Sequence, residues 1–316
     1  MEFKKEEEYM KIIKGFVIAF SIYSKIPVPQ FDWKEEDMQY HLCFFPLIGL
    51  IIGALEAGWF FLGNAAGISH LCKTLIAVAI PLLVTGGFHM DGFMDTMDAF
   101  HSYQNKEKKL AILKDPHIGA FSVLMLVLYY LIYGAAYAEL TELSAILVVG
   151  IGFALSRSLS GIGVVSLKAA KKDGMLAYFA DSAQKKRVLA VLIIEAVVYS
   201  GCMIYVNLWA GLAAVVVALL CYGYYSWKSR KEFGGINGDT AGYFVSLCEN
   251  AMAVAEKLCQ GIRELSTMKK EWSNISASIG ISFADHPNIK MEELYISADK
   301  AMYSAKENGR NQYQTL

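Results

Sequence analysis

The sequence predicts an all-α, polytopic membrane protein of about six to eight transmembrane or re-entrant helices, followed by a short strand–helix tail. Three observations carry that expectation. Apolar residues make up 55% of the 316-residue chain and charged residues only 19%, with a mean hydropathy of +0.36. Apolar stretches of about 20 residues, the length that crosses a hydrocarbon core, recur along most of the chain. Basic loops alternate with loops nearly free of Lys and Arg. The net charge of −1 gives no electrostatic footprint for nucleic acid.

The N-terminal MEFKKEEEYMKIIK is too charged to read as a signal peptide, and no small-residue cleavage site follows it. Residues 12–28 hold a short apolar core that ends at Pro27 and Pro29. Six strong spanning helices are expected at about 43–63, 70–88, 118–139, 143–165, 188–206 and 208–226. A weaker stretch, 240–260, carries Glu249 and Glu256. Like 12–28, it fits a re-entrant, interfacial or bundle-packed helix. Lysines cluster in loop 101–117 (Lys106, Lys108, Lys109, Lys114), in loop 166–187 (among them Lys168, Lys171 and Lys185) and in segment 227–239 (Lys228, Lys231). The alternate connections NAAGIS, ELTE and VN hold none. The positive-inside rule therefore places the three basic loops in the cytoplasm, as expected for a multi-pass protein of the cell (inner, cytoplasmic) membrane. The six cysteines, Cys43, Cys72, Cys202, Cys221, Cys248 and Cys259, form no CxxC pair and are expected to be buried small hydrophobes.

The most informative segment is TGGFHMDGFMDTMDAF, from Thr85 to Phe100. An apolar run leads into Asp91, Asp95 and Asp98, spaced i, i+4, i+7. On a helix these positions fall within about 60° of one another, so the three carboxylates share a face. An ionisable group at bilayer depth costs about 2.5–3.5 kcal/mol on insertion scales. Three like charges on one stripe also repel, unless a hard divalent cation such as Mg²⁺ neutralises them and bridges to phosphate. A solvated helix face just past the membrane edge is the plain alternative. His89 falls on the opposite side of that helix and is not expected to be a ligand. The stripe opens the first basic loop, so the site is expected to face the cytoplasm.

A second acidic element, FGGINGDTAG, offers Asp239 as a fourth carboxylate. Its Gly234, Gly235 and Gly238 let backbone N–H groups approach phosphate oxygens, or simply make a flexible connector. LKDPHIGAF places Asp115 and His117 before a helix. Arg157 lies inside an apolar span, where it should meet a carboxylate or phosphate; structural pairing with a helix-borne Asp is the plain alternative. Lys25, in SKIPVP, stands at a membrane boundary, where it can bind substrate or snorkel. Acids, glycines and a few cations without Ser/His/Asp triad spacing point to metal-assisted phosphoryl transfer.

SKIPVP, FFPLIGLIIGA, TGGFHMDGFMDTMDAF, LKDPHIGAF and FGGINGDTAG occur in the order and spacing of the cobalamin synthase family (adenosylcobinamide-GDP ribazoletransferases). The chain resembles that family over roughly residues 10–260, most specifically from His89 to Asp98. The resemblance implies a membrane enzyme of vitamin B12 assembly. Such an enzyme joins adenosylcobinamide-GDP to α-ribazole, or to α-ribazole 5′-phosphate, and releases GMP with the help of Mg²⁺. With the residue pattern, it implies Asp91, Asp95, Asp98 and Asp239 as catalytic, metal-binding residues. Lys25, Gly87, Asp115, Arg157, Gly234, Gly235 and Gly238 are then expected to bind substrate. The chain departs from the family at Ser24-Lys25, where Thr-Arg is frequent, at Asp115-Pro116, where Asp-Ser is common, and at Ala99, where Gly is usual. The expected partners are the two substrates and the lipid bilayer; a homo-oligomer is compatible with the sequence. The alternative functions are another Mg²⁺-dependent phosphotransferase, of the CDP-alcohol type, and an ion-coupled transporter.

Beyond about residue 265 the composition becomes polar. SASIGISFA and ADKAMYSAKENGRNQY resemble the last strand and helix of a diguanylate cyclase (GGDEF-type) domain over about the final 45 residues. The nucleotide-binding half and its signature turn are absent, so no cyclase activity is expected. The expected domains are a membrane domain, 1–262, and a truncated, non-catalytic tail, 266–316, whose strand lacks partners.

Overall fold

The computed structural model describes residues 2–171, 174–268, 279–281, 291–308 and 313–315. The chain divides into two compact units, Met1–Gln260 and Gly261–Leu316. In the first, α1 (Glu2–Tyr23) ends before the proline pair; the Ser24 hydroxyl donates to the Phe20 carbonyl at 2.7 Å. Two short 3₁₀ turns lead into α2 (Phe45–Ala65), which carries a proline in its first turn, where a missing N–H costs nothing. Then follow α3 (His70–Thr85), α4 (Phe88–His101), α5 (Lys106–Ile112), α6 (Ala120–Ala138) and α7 (Leu143–Ser166). The unit continues through α8 (Met175–Ser182), α9 (Lys185–Val206) and α10 (Leu208–Phe233) into α11 (Gly238–Met268).

Among the described residues, five helices are long and apolar enough to cross a membrane: α2 with its preceding turn, α6, α7, α9 and α10. A sixth span exists if α3 and α4 are counted as one; they are bent by 95°. The sequence expectation of an unbroken helix over 70–88 is corrected here. Gly86 (φ +64°) and Gly87 (φ +83°) are both left-handed, a conformation open to glycine, and they turn α4 away from α3.

The central helix is α7. Its apolar window is 83% buried, against 22–39% for the other four spans, and it packs most extensively on α2 and α9. The α2 and α7 backbones touch at Gly53 and Gly150, leaving no room for a Cβ on Gly53, as small residues permit between membrane helices. Leu124, Leu131, Ile194 and Val197 of α6 and α9 point outward, as lipid-facing residues do. The cysteine expectation is corrected too. Cys43 and Cys248 are buried, but Cys72 and Cys202 face outward from their helices, where a thiol meets lipid at little cost.

The weakly apolar α11 runs through the interior. Tyr243, Phe244, Cys248 and Met252 are buried, and Asn250 donates to the Tyr129 carbonyl at 3.1 Å. At its far end Lys257 pairs with Glu139 at 2.8 Å, at the close of α6. Neighbouring helices shield α11, so it tolerates polar residues that a lipid-facing span would not.

In the second unit, β1 (Ile279–Ile281) and β2 (Tyr313–Thr315) pair in parallel, with Ile279 opposite Tyr313. The helix α12 (Met291–Glu307) connects them and packs on both, as a parallel pair requires a crossover. The expected strand therefore has a partner, supplied by residues that the sequence reading left as an end. The rest of the expected strand lies outside the described residues.

Candidate active site

The site is built on α4. Its inner face carries His89, Phe93, Thr96 and Ala99, all buried, which hold the helix by ring contacts such as Phe93 with Tyr129 (5.2 Å) and Tyr243 (5.8 Å). The opposite face leaves Asp91 exposed and Asp95 and Asp98 half-buried. His89 is 6% exposed, ringed by Tyr23, Phe45 and Phe88, and turned away from the carboxylates.

Asp239 joins this row through the local chemistry of NGDT. Asn237 caps α11 by accepting from the Thr240 N–H at 2.8 Å, while the Thr240 hydroxyl accepts from the Asn237 N–H at 2.9 Å. This reciprocal box seats Asp239 in the first turn of α11, against Gly92 of α4. Asp95 lies within electrostatic reach of Asp91, Asp239 and Asp98, and Asp91 reaches Asp239. Asp98 differs from the others. Its carboxylate presses on Gly119, the N-cap of α6, where the helix dipole favours a negative charge. These four carboxylates bring oxygen donors to one row. Among the described residues, no three or more His, Cys, Asp or Glu side chains are placed so that together they could hold a metal ion.

Two cavities meet at Phe88 and Asp91. One, of about 350 Å³, is lined by Asp91, Gly92, Gly238 and Asp239 on one side and reaches Lys114 and Lys171. The other, of about 500 Å³, is lined by Lys25, Gly86, Gly87, Met90, Met94 and Tyr130. On α4, Met90 and Met94 flank Asp91 on one side and Gly92 on the other, so the cavities lie to either side of that carboxylate.

The remaining expected residues divide. Lys25 and Gly87 line the larger cavity, with the Lys25 N–H held by the Val84 carbonyl at 2.7 Å and its stem lying over Gly86. Gly238 lines the smaller one. Gly234 and Gly235 serve the loop instead. Gly234 (φ +83°) gives its N–H to the Arg230 carbonyl at 3.1 Å, and Gly235 packs against Lys168. There the chain pairs with the segment after α7: the Ile236 N–H donates to Lys168 (2.9 Å) and the Ala170 N–H to Ile236 (2.8 Å). Asp115 lines neither cavity. It is exposed and tied to His117, whose backbone N–H and ring hold its carboxyl below the usual carboxylate range. Arg157 is 1% exposed and pairs with Glu249 at 2.6 Å, so a helix-borne carboxylate satisfies it, from a Glu and not the Asp expected.

Sequence reasoning did not single out Asn237, Lys114 and Lys171, which line the smaller cavity. The capping pattern N-x-x-T could have revealed the first. The lysines were read only as signs of orientation.

The model of the cobalamin-5-phosphate synthase family matches residues 15–256. That of the diguanylate cyclase GGDEF domain matches residues 241–312, reaching further back than the final 45 residues and overlapping the first match within α11. The chain is 41% identical over 253 residues to the adenosylcobinamide-GDP ribazoletransferase of Lachnoclostridium phytofermentans, covering 80% of this chain and 97% of that protein. It is 31% identical over 236 residues to the protein of the same name from Clostridium botulinum, covering 73% and 92%. With that of Clostridium perfringens it shares 32% over 250 residues, covering 76% and 96%. No solved structure matches the chain. With five helices long and apolar enough to cross a membrane, the chain is a transferase and belongs to the cobalamin-5-phosphate synthase family.

Proposed function

We propose that this transferase joins the cobinamide phosphate of adenosylcobinamide-GDP to α-ribazole or its 5′-phosphate and releases GMP. The observation that carries the reading is the place of Asp91, in the wall common to two cavities and beside Asp95 and Asp239. A two-substrate phosphoryl transfer needs such a junction, because nucleophile and leaving group approach phosphorus roughly in line. The ribose hydroxyl of the acceptor attacks the phosphorus on the cobinamide arm. That hydroxyl gives up its proton, the bond to the GMP oxygen breaks, and GMP leaves with the electron pair.

The donor chemistry of the row, carboxylate oxygens alone, is the kind that suits Mg²⁺. That ion keeps several waters and takes one or two carboxylates plus substrate phosphate oxygens, not a closed protein cage. An open row of Asp91, Asp95 and Asp239, with Asp98 at its end, is such a donor set. Bound there, the cation would neutralise diphosphate charge and steady the leaving oxygen. The protein's own part is to hold the row rigid, through the packed inner face of α4 and the cap on α11. The acidic row stands at the end of the bundle that carries the lysine-rich loops. By the positive-inside rule this end faces the cytoplasm, with the protein in the cell membrane. The tail beyond the membrane domain takes no part in the reaction.

The test is to incubate membranes holding the full chain with adenosylcobinamide-GDP, α-ribazole and Mg²⁺. GMP and a joined corrinoid product are expected in equal amounts. GMP release that does not depend on the acceptor would point to hydrolysis and overturn the reading.

A further inference from the structure

The two cavities beside Asp91 differ in the cations that line them. The smaller is lined by Asp91 and Asp239 and also by two lysines from separate segments, Lys114 after α5 and Lys171 after α7. Among the described residues neither makes an ion pair, although nearby lysines do: Lys109 and Lys228 both bind Glu232. The segment that carries Lys171 is fastened to the Asp239 loop by the paired backbone of Lys168, Ala170 and Ile236. This tie sets a cation at a fixed register from the carboxylates. The larger cavity lacks such a pair of lysines: Lys25, Ser21, Ser24 and Thr85 line it together with Met90, Met94 and Tyr130.

We propose that Lys114 and Lys171 bind the phosphate chain of the nucleotide-bearing donor in the smaller cavity, while the larger cavity takes the acceptor nucleoside. This assignment rests on the transferase reading above and adds which substrate lies where. Lysine is a compact point charge suited to non-bridging phosphate oxygens. Two of them facing carboxylates match a diphosphate held partly by amines and partly by a cation. The acceptor, with its flat aromatic base, is then left the cavity whose walls include Tyr130, Met90 and Met94. The cavities flank Asp91 from two sides, so a phosphorus atom at that junction has its leaving nucleotide on the lysine side and the attacking hydroxyl on the other.

GMP is the probe. Its affinity for the full chain in detergent, at fixed Mg²⁺, is measured by titration calorimetry for the wild type, Lys114→Gln/Lys171→Gln and Tyr130→Ala. The KM of each substrate is measured in parallel. The double lysine variant should bind GMP at least about tenfold more weakly and raise the donor KM by a similar factor, with the acceptor KM within about twofold. Lys171→Arg paired with Lys114→Gln should recover part of the GMP affinity. Tyr130→Ala should raise the acceptor KM and leave GMP affinity unchanged. A lysine variant that binds GMP as tightly as the wild type, or that moves the acceptor KM instead, overturns the assignment while leaving the transferase reading intact. A wild-type chain that makes no product from the two substrates overturns the transferase reading itself.

Discussion

Gly92 of α4 lies against the backbone of Asp239: a Cβ on Gly92 would stand 2.8 Å from the Asp239 carbonyl oxygen and 2.9 Å from its Cα. The fourth carboxylate thus reaches the aspartate row only because position 92 carries no side chain. Gly92→Ala should push α11 off α4 and reduce turnover at least about tenfold, with a stability loss of about 1–3 kcal/mol from overpacking. The comparison is Gly134→Ala and Gly223→Ala, where a Cβ meets nothing within 4 Å. These should keep turnover and melting temperature. Equal activity in Gly92→Ala would show that Asp239 need not touch α4.

The buried pair of Arg157 and Glu249 predicts a different response. Arg157→Ala leaves Glu249 without its cation deep in the bundle and should cost about 3–5 kcal/mol. Replacing both partners with apolar residues, as in Arg157→Met/Glu249→Leu, should recover most of that loss. Thermal unfolding in detergent checks both variants. If the double variant is as unstable as the single one, the ion pair is not what Arg157 contributes.

The aspartate row was legible because its i, i+4, i+7 spacing needs only a helix to put three carboxylates on one face. The break between α3 and α4 was not. Composition stays apolar across Thr85 to Phe88, and glycine permits both a continuous helix and the left-handed turn found at Gly86 and Gly87. The course of α11 was hidden for a related reason. A helix with Glu249, Asn250 and Glu256 reads alike whether it lies at an interface or inside a shield of other helices, and only packing decides. Arg157 was correctly expected to meet an anion, but one sequence cannot say which. Lys114 and Lys171 looked like any lysines of a basic loop until folding brought them to one groove.

The second unit should be dispensable for transfer. The buried face of α11 and its contacts with Glu139 and Thr141 end by Gln260. A chain truncated after Met268 should insert into membranes and release GMP at the wild-type rate. Neither it nor the full chain should form cyclic di-GMP from GTP. Loss of GMP release at normal membrane levels would give the tail a regulatory or catalytic role.

Removal of divalent cations should act on the carboxylate row alone. Chelation should stop GMP release, and added Mg²⁺ should restore it without a change in the melting temperature of the bundle beyond ligand stabilisation. Full activity in the chelator would remove the metal from the account.

The most direct measurement compares turnover in membranes carrying wild-type chain, Asp95→Asn or Asp239→Asn, at matched protein levels and saturating Mg²⁺. Asp95 is at the centre of the row, within reach of the other three carboxylates, and Asp239 enters it from a different helix. The account predicts that both variants fold and insert but lose at least about a hundredfold in GMP release, the scale of removing one electrostatic contact to a transferring phosphoryl group. Wild-type release from either variant would contradict the claim that this row is where the phosphoryl group is transferred.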